Sequence, residues 1–306
     1  MAGSPAVQAV KPDDQDRWRV EVFDIVLKAI AEAPDFASGI VLKGAQVLAR
    51  RLGGAARVSL DLDATLAPAF VRDAGDPAAW AARLESGLRT ALERSFERMN
   101  PSCLSLERIR AERKPATDHP HGWDGVVVSL TLSDRRLPGV RNFPRITMDF
   151  SAPEELSPDS TSPLPVNDRF VTAYTLERIA AEKLRALLQS LPTWRRKTGG
   201  SLRAPRVRDI HDLARILAAR GPADVGFWNT VPSEFRLACR SRFVDCAGMS
   251  SFESDREAMR ELYEKNPTLP IEISFEAAWG ALKSVVGLLE ARGAIPVAFP
   301  MPGERR

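Results

Sequence analysis

The chain has 306 residues, of which 44% are hydrophobic and 27% are charged, the composition of an ordinary globular protein. No apolar run approaches the roughly 20 residues that a membrane span needs, and the N-terminus has no signal-peptide pattern. The three cysteines form no CxxC pair, which argues against structural zinc and a disulfide framework and favours a cytoplasmic location. A net charge of +3 is only mildly basic, so any nucleic-acid binding must come from local patches.

The first half of the sequence predicts helices that alternate with strands. Apolar residues at helical spacing predict a first helix over 14–33, which Pro34 ends. A second helix begins at Pro77, a favourable first helical residue, and runs to Met99. Short apolar or alternating stretches predict five strands, at 40–42, 57–63, 104–113, 123–132 and 145–150. A short helix after Gly44 joins the first two strands, so we expect a mixed sheet with helices packed on it.

The second half is predicted to be almost wholly helical. The stretch 151–165 holds four prolines and several Ser and Asp residues, which predicts a loop or linker. Apolar periodicity then predicts five helices, at 174–190, 207–220, 230–245, 252–264 and 274–292. The expected fold class is α/β (α+β), with an α/β domain over 14–152, a Pro-rich linker over 153–167 and a helical domain over 168–292.

The strand predicted over 57–63 ends in two carboxylates. Asp61 and Asp63 lie two residues apart and point to the same face, because side chains alternate along a strand. Such a pair suits Mg²⁺ when phosphate oxygens supply the remaining ligands. Asp149 adds a third carboxylate if its strand lies beside this one; otherwise it is a solvated strand end. Carboxylates that hold Mg²⁺ can align a hydroxyl with an α-phosphate, which predicts a metal-dependent nucleotidyltransferase.

Two other functions stay open at this point. Asp61-Leu62-Asp63-Ala64-Thr65 also resembles the DxDxT motif of haloacid-dehalogenase-like phosphatases, with Asp61 as nucleophile and Asp63 as general acid/base. Against it, about 57 residues precede the motif, and no later DD or GDxxxD pair supplies further metal ligands. The third hypothesis is a non-catalytic module that binds a nucleotide or RNA.

Two helices of the second half carry charged residues in unusual places. Lys183 falls inside the apolar stripe of the helix over 174–190, so it either extends outward to solvent or reaches into a cleft to hold a phosphate. Asp209 and Asp212 share one side of the next helix, and Arg208 can reach Asp212 one turn later. The simpler explanation is an acidic first turn that suits the helix dipole.

A basic stretch begins before that helix and continues through it. From Trp194 to Arg220 there are eight basic residues and two acidic ones. Two glycines and a proline predict that most of the part before the helix is a mobile loop. A basic loop suits nucleotide phosphates and a polyanionic acceptor, although a solvated run of charge explains the composition equally well.

Four ordered motifs together resemble the AbiEii/AbiGii toxin family of bacterial type IV toxin–antitoxin systems. They are Val41-Leu42-Lys43-Gly44-Ala45-Gln46-Val47-Leu48, Arg57-Val58-Ser59-Leu60-Asp61-Leu62-Asp63, Glu182-Lys183-Leu184-Arg185-Ala186-Leu187 and Arg208-Asp209-Ile210-His211-Asp212-Leu213. The resemblance implies a polymerase-β-like nucleotidyltransferase core followed by a helical domain that completes the active site. It also implies an NTP substrate, an RNA acceptor such as the tRNA 3′ end, and a winged-helix antitoxin partner. Ala45 and Gln46 replace the second Gly and the Thr of the family's glycine turn.

The resemblance also implies roles for individual residues. The expected catalytic residues are Asp61, Asp63, Lys183 and Asp209. The expected nucleotide-binding residues are Lys43, Gly44, Ala45, Ser59, Lys183 and Arg208. Mg²⁺ is expected on Asp61 and Asp63, and strand geometry adds Asp149.

Overall fold

A computed structural model describes residues 12–53, 61–99, 103–116, 121, 123–137, 140, 143–151, 154–199 and 204–302. Its strands are β1 Ile40–Lys43, β2 Asp61–Leu66, β3 Leu104–Lys114, β4 Gly125–Asp134, β5 Ile146–Ser151, β6 Thr161–Val166 and β7 Arg169–Tyr174. Its helices are α1 Pro12–Ala31, α2 Pro34–Ala37, α3 Gly44–Leu52, α4 Pro68–Ala74, α5 Pro77–Arg98, α6 Leu176–Ser190, α7 Pro192–Thr198, α8 Val207–Arg220, α9 Val225–Arg240, α10 Ser250–Glu253, α11 Arg256–Glu264 and α12 Phe275–Glu290.

The seven described strands form one mixed sheet in the order β3-β4-β5-β2-β1-β7-β6. Three pairs are antiparallel (β3 with β4, β4 with β5, and β1 with β2), whereas β2 with β5 and β1 with β7 are parallel. The α/β class and the mixed sheet expected from the sequence are therefore confirmed. The acidic strand differs from the prediction, because its described part continues to Leu66 instead of ending at Asp63. Residues 57–60 of that prediction lie outside the described part of the chain.

The two faces of the sheet differ in burial over β3, β4, β5 and β2. On one face, residues such as Val128, Leu130 and Met148 are completely buried, and α5 packs on β3 and β4 with α1 beside it. On the other face the alternate residues of β4 and β5 are only half-buried. We call this second side the polar face. The core thus occupies one side of the sheet and leaves the other available for polar chemistry.

The chain forms two compact units. Among the described residues, with the gaps given above, the first contains those within 12–47, 61–154 and 163–173, and the second contains those within 48–53, 155–162 and 174–302. The expected contiguous halves are thus interleaved, and the expected linker over 153–167 contains strand β6. Pro163 and Pro165 are compatible with this strand because β6 lies at the edge of the sheet, where a missing N–H breaks no ladder.

The second unit is a helical assembly in which α6 packs against both α8 and α9, and α12 packs against α8. A buried ion pair ties it together. Arg178 of α6 and Glu234 of α9 are both fully buried, with Nη1 and Oε2 3.3 Å apart. Ser157 and Ser160 also donate hydrogen bonds to Glu234, at 2.6 and 2.7 Å. The turn at 157–160 is therefore anchored to α6 and α9.

Several helices of this unit differ from the sequence prediction. The single helix expected over 252–264 is divided into α10 and α11. Helix α9 begins at Val225 instead of 230, because the Asp224 side chain caps it by accepting from Phe227 N. Helix α7 occupies part of the basic stretch that was predicted to be a loop. Trp194 anchors it, since this buried indole donates from Nε1 to the carbonyl oxygen of Arg242 at 2.9 Å. Among the helices that the structure describes, we find no candidate for a membrane-spanning segment.

A buried carboxylate fastens α1 to the sheet in the first unit. Asp134, at the end of β4, accepts from Trp18 Nε1 at 3.1 Å and from Arg136 Nη2 at 2.6 Å. Burial alone would raise the pKa of Asp134, but the hydrogen bonds from Arg136 and Trp18 outweigh it and hold the pKa below its ordinary value. The carboxylate is therefore ionised in the folded protein at neutral pH.

We expect Asp134→Asn to lower the free energy of unfolding at neutral pH by about 2 kcal/mol, because it weakens charge-assisted hydrogen bonds. The depressed pKa makes this contribution fully present above the ordinary carboxyl value of 3.8 and lost as the pH falls through the folded-state value. Urea unfolding of both proteins across acidic pH measures the difference, which should narrow on acidification. Asp73→Asn, at an exposed position of α4, is the matched control. A difference that does not change with pH would contradict the interpretation.

Candidate active site

The three predicted carboxylates lie on the polar face of the first unit. Asp61 and Asp63 are on β2, and Asp63 is in register with Asp149 on the parallel neighbour β5. Registered residues of adjacent strands point to the same side of a sheet, about 4.8 Å apart at the backbone. Asp61 is exposed, and Asp63 and Asp149 are half-buried. The strand adjacency on which the third carboxylate depended is therefore confirmed, although its role stays a prediction.

Gly44 packs directly against the second of these carboxylates. It begins α3 with φ of +78°, in the left-handed region that favours glycine. A Cβ at this position would lie only 2.2 Å from Oδ2 of Asp63 and 2.9 Å from its Cβ. The absent side chain thus lets Asp63 approach the N-terminus of α3, where backbone N–H groups and the helix dipole favour anions. Ala45, the next residue of the turn, is buried.

Lys43 lies in register with Asp63, on the other neighbouring strand. Its Nζ donates to Ser151 Oγ at 2.5 Å and also contacts a carboxylate oxygen of Glu154. The Glu154 side chain is only 3% exposed. Sequence reasoning missed both partners. Ser151 could have been found, since it follows Asp149 by two residues on the same strand face, whereas Glu154 lies beyond the strand and has no comparable signal.

The carboxylates of β2 and β5 can supply only some of the ligands that Mg²⁺ needs. Among the described residues, no group of three or more His, Cys, Asp or Glu side chains is arranged to hold a metal ion. Mg²⁺ usually takes one or two protein carboxylates, however, and completes its octahedron with water and substrate phosphates. Asp61 and Asp63 share a face, and the space left at Gly44 keeps Asp63 beside a helix N-terminus that suits those phosphates. The donor chemistry therefore suits a magnesium–nucleotide pair.

A buried ionic cluster lies in the second unit. Lys183 Nζ of α6 is 3.0 Å from Asp209 Oδ1 and 2.6 Å from Asp212 Oδ2, both on α8. The two aspartate side chains are at most 1% exposed and that of Lys183 is 8% exposed. The lysine therefore does not extend outward to solvent. Asp209 and Asp212 face the same way because three residues separate them on the helix, as the sequence predicted.

Arg206 completes the cluster from just before α8. Its Nε donates to Asp209 Oδ2 at 2.6 Å. Burial alone would raise the pKa of Asp209, but the positive charges of Arg206 and Lys183 outweigh it, so the pKa lies below its ordinary value. Burial, with the charge of Asp212 adding to it, also raises the pKa of the nearby Tyr263 to about 12. Asp209 is therefore ionised and Tyr263 protonated at neutral pH.

The expected pairing of Arg208 with Asp212 is replaced by another arrangement. The Arg208 side chain is exposed, and Asp212 pairs with Lys183 instead. A buried carboxylate is better compensated by the buried lysine of α6 than by an arginine whose position on α8 faces solvent. The arginine that does contact the motif is Arg206, which the spacing of Arg206 and Asp209 could have indicated. Ser59 lies outside the described residues.

The family profile described as "Nucleotidyl transferase AbiEii toxin, Type IV TA system" matches residues 25–281 of the chain. The chain belongs to this family. Membership in the AbiEii family makes it a nucleotidyltransferase-type toxin and argues against the phosphatase alternative for Asp61 and Asp63. A comparison with curated proteins found no significant match.

The Gly44 contact can be tested with a matched glycine. Gly53 also has a positive φ, of +64°, but a Cβ there would meet nothing within 4 Å. Both Gly→Ala substitutions should cost about 1 kcal/mol for the left-handed backbone. Only Gly44→Ala should displace Asp63, so it should also reduce nucleotide affinity at least tenfold, measured by calorimetry. Equal affinity in the two variants would show that the contact with Asp63 has no role in binding.

The buried AbiEii-family lysine should matter for stability. Lys183→Met leaves two carboxylates without their buried partner and should lower the free energy of unfolding by about 3–5 kcal/mol. Adding Asp209→Asn and Asp212→Asn should recover much of this loss, because no uncompensated charge then remains. Chemical denaturation measures both effects, with the exposed Lys283→Met of α12 as control. A loss no larger than that of the control would refute a structural role for the cluster.

Proposed function

We propose that the protein transfers a nucleoside monophosphate from an NTP to the 3′ end of an RNA, with Mg²⁺ as cofactor and tRNA as the acceptor. The observation that carries this proposal is the register of Asp63 with Asp149 next to the left-handed Gly44. It combines oxygen ligands for a cation with a helix N-terminus for phosphates at one position. Family membership supports the reaction class.

The residues of the first unit would bind and orient the nucleotide. Asp61, Asp63 and Asp149 would hold Mg²⁺, which when bound neutralises charge on the phosphates and on the leaving pyrophosphate. The backbone N–H groups that begin at Gly44 and Ala45 would contact phosphate oxygens, since no side chain at Gly44 obstructs them. Lys43 adds a positive charge at this end of β1 while Ser151 and Glu154 fix its ammonium group.

The remaining candidates from the family motifs lie in the second unit. We assign Lys183 to phosphate binding and Asp209 to catalysis from the family motif. The positive charges of Arg206 and Lys183 hold the pKa of Asp209 below its ordinary value, so this carboxylate is ionised. An ionised carboxylate can accept a proton, which is the requirement for activating an RNA hydroxyl. Arg208, exposed at the start of α8, and Ser59 are the remaining nucleotide-binding candidates.

The biological context follows from the family. A toxin of a type IV toxin–antitoxin system has a cognate antitoxin, and we propose a small winged-helix protein in this role. Nucleotide addition to the tRNA 3′ end would block aminoacylation and so arrest translation. A neighbouring open reading frame for such a protein would support this assignment.

Incubation of the protein with labelled NTPs, Mg²⁺ and total tRNA tests the activity. Wild type should label RNA, and chelation of the metal by EDTA should stop the transfer. Asp63→Asn should reduce the rate at least 100-fold, because several kcal/mol of charge stabilisation at the phosphates correspond to that factor. Asp168→Asn, in the exposed turn between β6 and β7, should leave the rate unchanged.

Two outcomes would overturn the proposal. An NTP that binds without transfer to any RNA, with the same affinity in Asp63→Asn, would favour a non-catalytic nucleotide-binding module. Hydrolysis of small phosphomonoesters with a phosphate trapped on Asp61 would favour phosphatase chemistry instead.

A further inference from the structure

The polar face of the sheet extends beyond the carboxylates across two more strands. Asp61 is in register with Thr147 on β5, Thr147 with Ser129 on β4, and Ser129 with Arg110 on β3. These four residues therefore form a line that crosses the four strands. Three strand spacings of about 4.8 Å place the backbone of Arg110 roughly 14 Å from that of Asp61.

A second line lies beside the first one. Thr131 on β4 is in register with Arg108 on β3, two residues before Arg110. Thr131, Ser129 and Thr147 are half-buried, and both arginines are exposed. Hydroxyl groups therefore lead from the carboxylates to a pair of guanidinium groups at the edge of the sheet. We call Arg108, Arg110, Ser129, Thr131 and Thr147 the hydroxyl–arginine surface.

The charged side chains around this surface form solvent-exposed ion pairs. Arg110 pairs with Glu112 at 2.6 Å, and their side chains are 60% and 58% exposed. Lys114 is 3.7 Å from Asp149, with 70% of its side chain exposed. Exposed pairs of this kind contribute little, so a polyanion can replace the carboxylate partner. Including Glu112, the polar face of β3 from Arg108 to Lys114 carries three basic residues and one acidic residue.

Charge on an edge strand has a simpler function, which is to prevent pairing with another sheet. That explanation accounts for β3, which lies at the edge and has a bulge near Glu107. It does not account for Ser129, Thr131 and Thr147, since β4 and β5 are interior strands. Hydroxyls together with arginines are the side chains that contact phosphate and sugar in nucleic-acid complexes.

We propose that the hydroxyl–arginine surface binds the sugar–phosphate backbone of the acceptor RNA, a few nucleotides upstream of its 3′ end. The inference rests on the proposed function, because it takes Asp61 as the point where the terminal hydroxyl reacts. The line from Asp61 to Arg110 directs an RNA strand across the sheet, over β2, β5, β4 and β3. Arg108 and Arg110 bind phosphates, and the hydroxyls bind sugar or phosphate oxygens between them.

The test is equilibrium binding of fluorescein-labelled tRNA, and of a short single-stranded RNA, at increasing KCl concentration. The variant is Arg108→Ala with Arg110→Ala. It should weaken binding and reduce the slope of log K against log[KCl] by about 1.4, since each single-strand phosphate contact contributes roughly 0.7. The KM for NTP should stay at the wild-type value, whereas the KM for RNA should rise. Arg108→Gln with Arg110→Gln preserves more side-chain packing and should behave like the alanine variant, with thermal melting as a check on folding.

The matched control is Arg72→Ala with Arg94→Ala, which removes two exposed arginines from α4 and α5. An unchanged salt slope in the Arg108 and Arg110 variants, or an equal loss in the control, would overturn the proposal. So would tighter binding of a polyglutamate peptide than of RNA at the same salt concentration. A wild type that binds RNA through this surface but transfers no nucleotide would instead refute the proposed activity. Normal transfer with unchanged RNA binding in the variants would refute only the surface.

Discussion

The parallel pairing of β2 with β5 is the constraint on which the site depends. It places Asp63 opposite Asp149 and simultaneously places Leu62 opposite Met148. Because side chains alternate with period two, a slip of one residue would turn the carboxylates into the core and the apolar residues outward. Burying an unpaired carboxylate is far more costly than any local preference in these strands. The same register that assembles the core therefore fixes the geometry of the carboxylates.

In the second unit, each buried carboxylate of α8 and α9 is paired with a positively charged side chain. Lys183 and Arg206 supply two positive charges to Asp209 and Asp212. Arg178 and Glu234 form a separate, fully buried pair. Apolar residues of the same volume would often stabilise such positions equally well or better. The ionic groups at the contact between α6 and α8 are therefore better explained by a role in the proposed reaction than by a contribution to stability.

Sequence periodicity was sufficient for the elements that form the core. It predicted α5, α6, β1, β3, β4 and β5 to within about two residues, because each has a strong alternating or helical apolar pattern, whereas β2 continues to Leu66 instead of ending at Asp63. It failed for β6, where Pro163 and Pro165 suggested a loop and only the edge position makes a strand acceptable. It failed for α7 because the glycines and positive charges of this stretch suggested a loop, and the sequence did not indicate that Trp194 anchors a helix.

In the candidate site, too, some features were predictable from the sequence and others were not. The spacing of Asp61 and Asp63 was sufficient to predict a shared face. The sequence left the role of Asp149 conditional on its strand being a neighbour of β2, and the sheet shows that it is. The partners of Lys43 and Lys183 depend on contacts between segments that are distant in sequence. The sequence pattern therefore could not indicate that Lys43 pairs with Glu154. It also could not indicate that Asp212 pairs with Lys183 instead of Arg208. Interactions along one element follow from its own spacing, whereas interactions between elements depend on how the chain folds.

Both edges of the sheet restrict how another protein can bind. At one edge, the prolines of β6 provide no N–H donors at two of its six positions. At the other, β3 presents charged side chains and a bulge. A partner that adds a strand to a sheet needs a regular ladder of donors and acceptors along an edge. A protein that binds this sheet would therefore recognise side chains on a face, because neither described edge offers a regular ladder for backbone pairing.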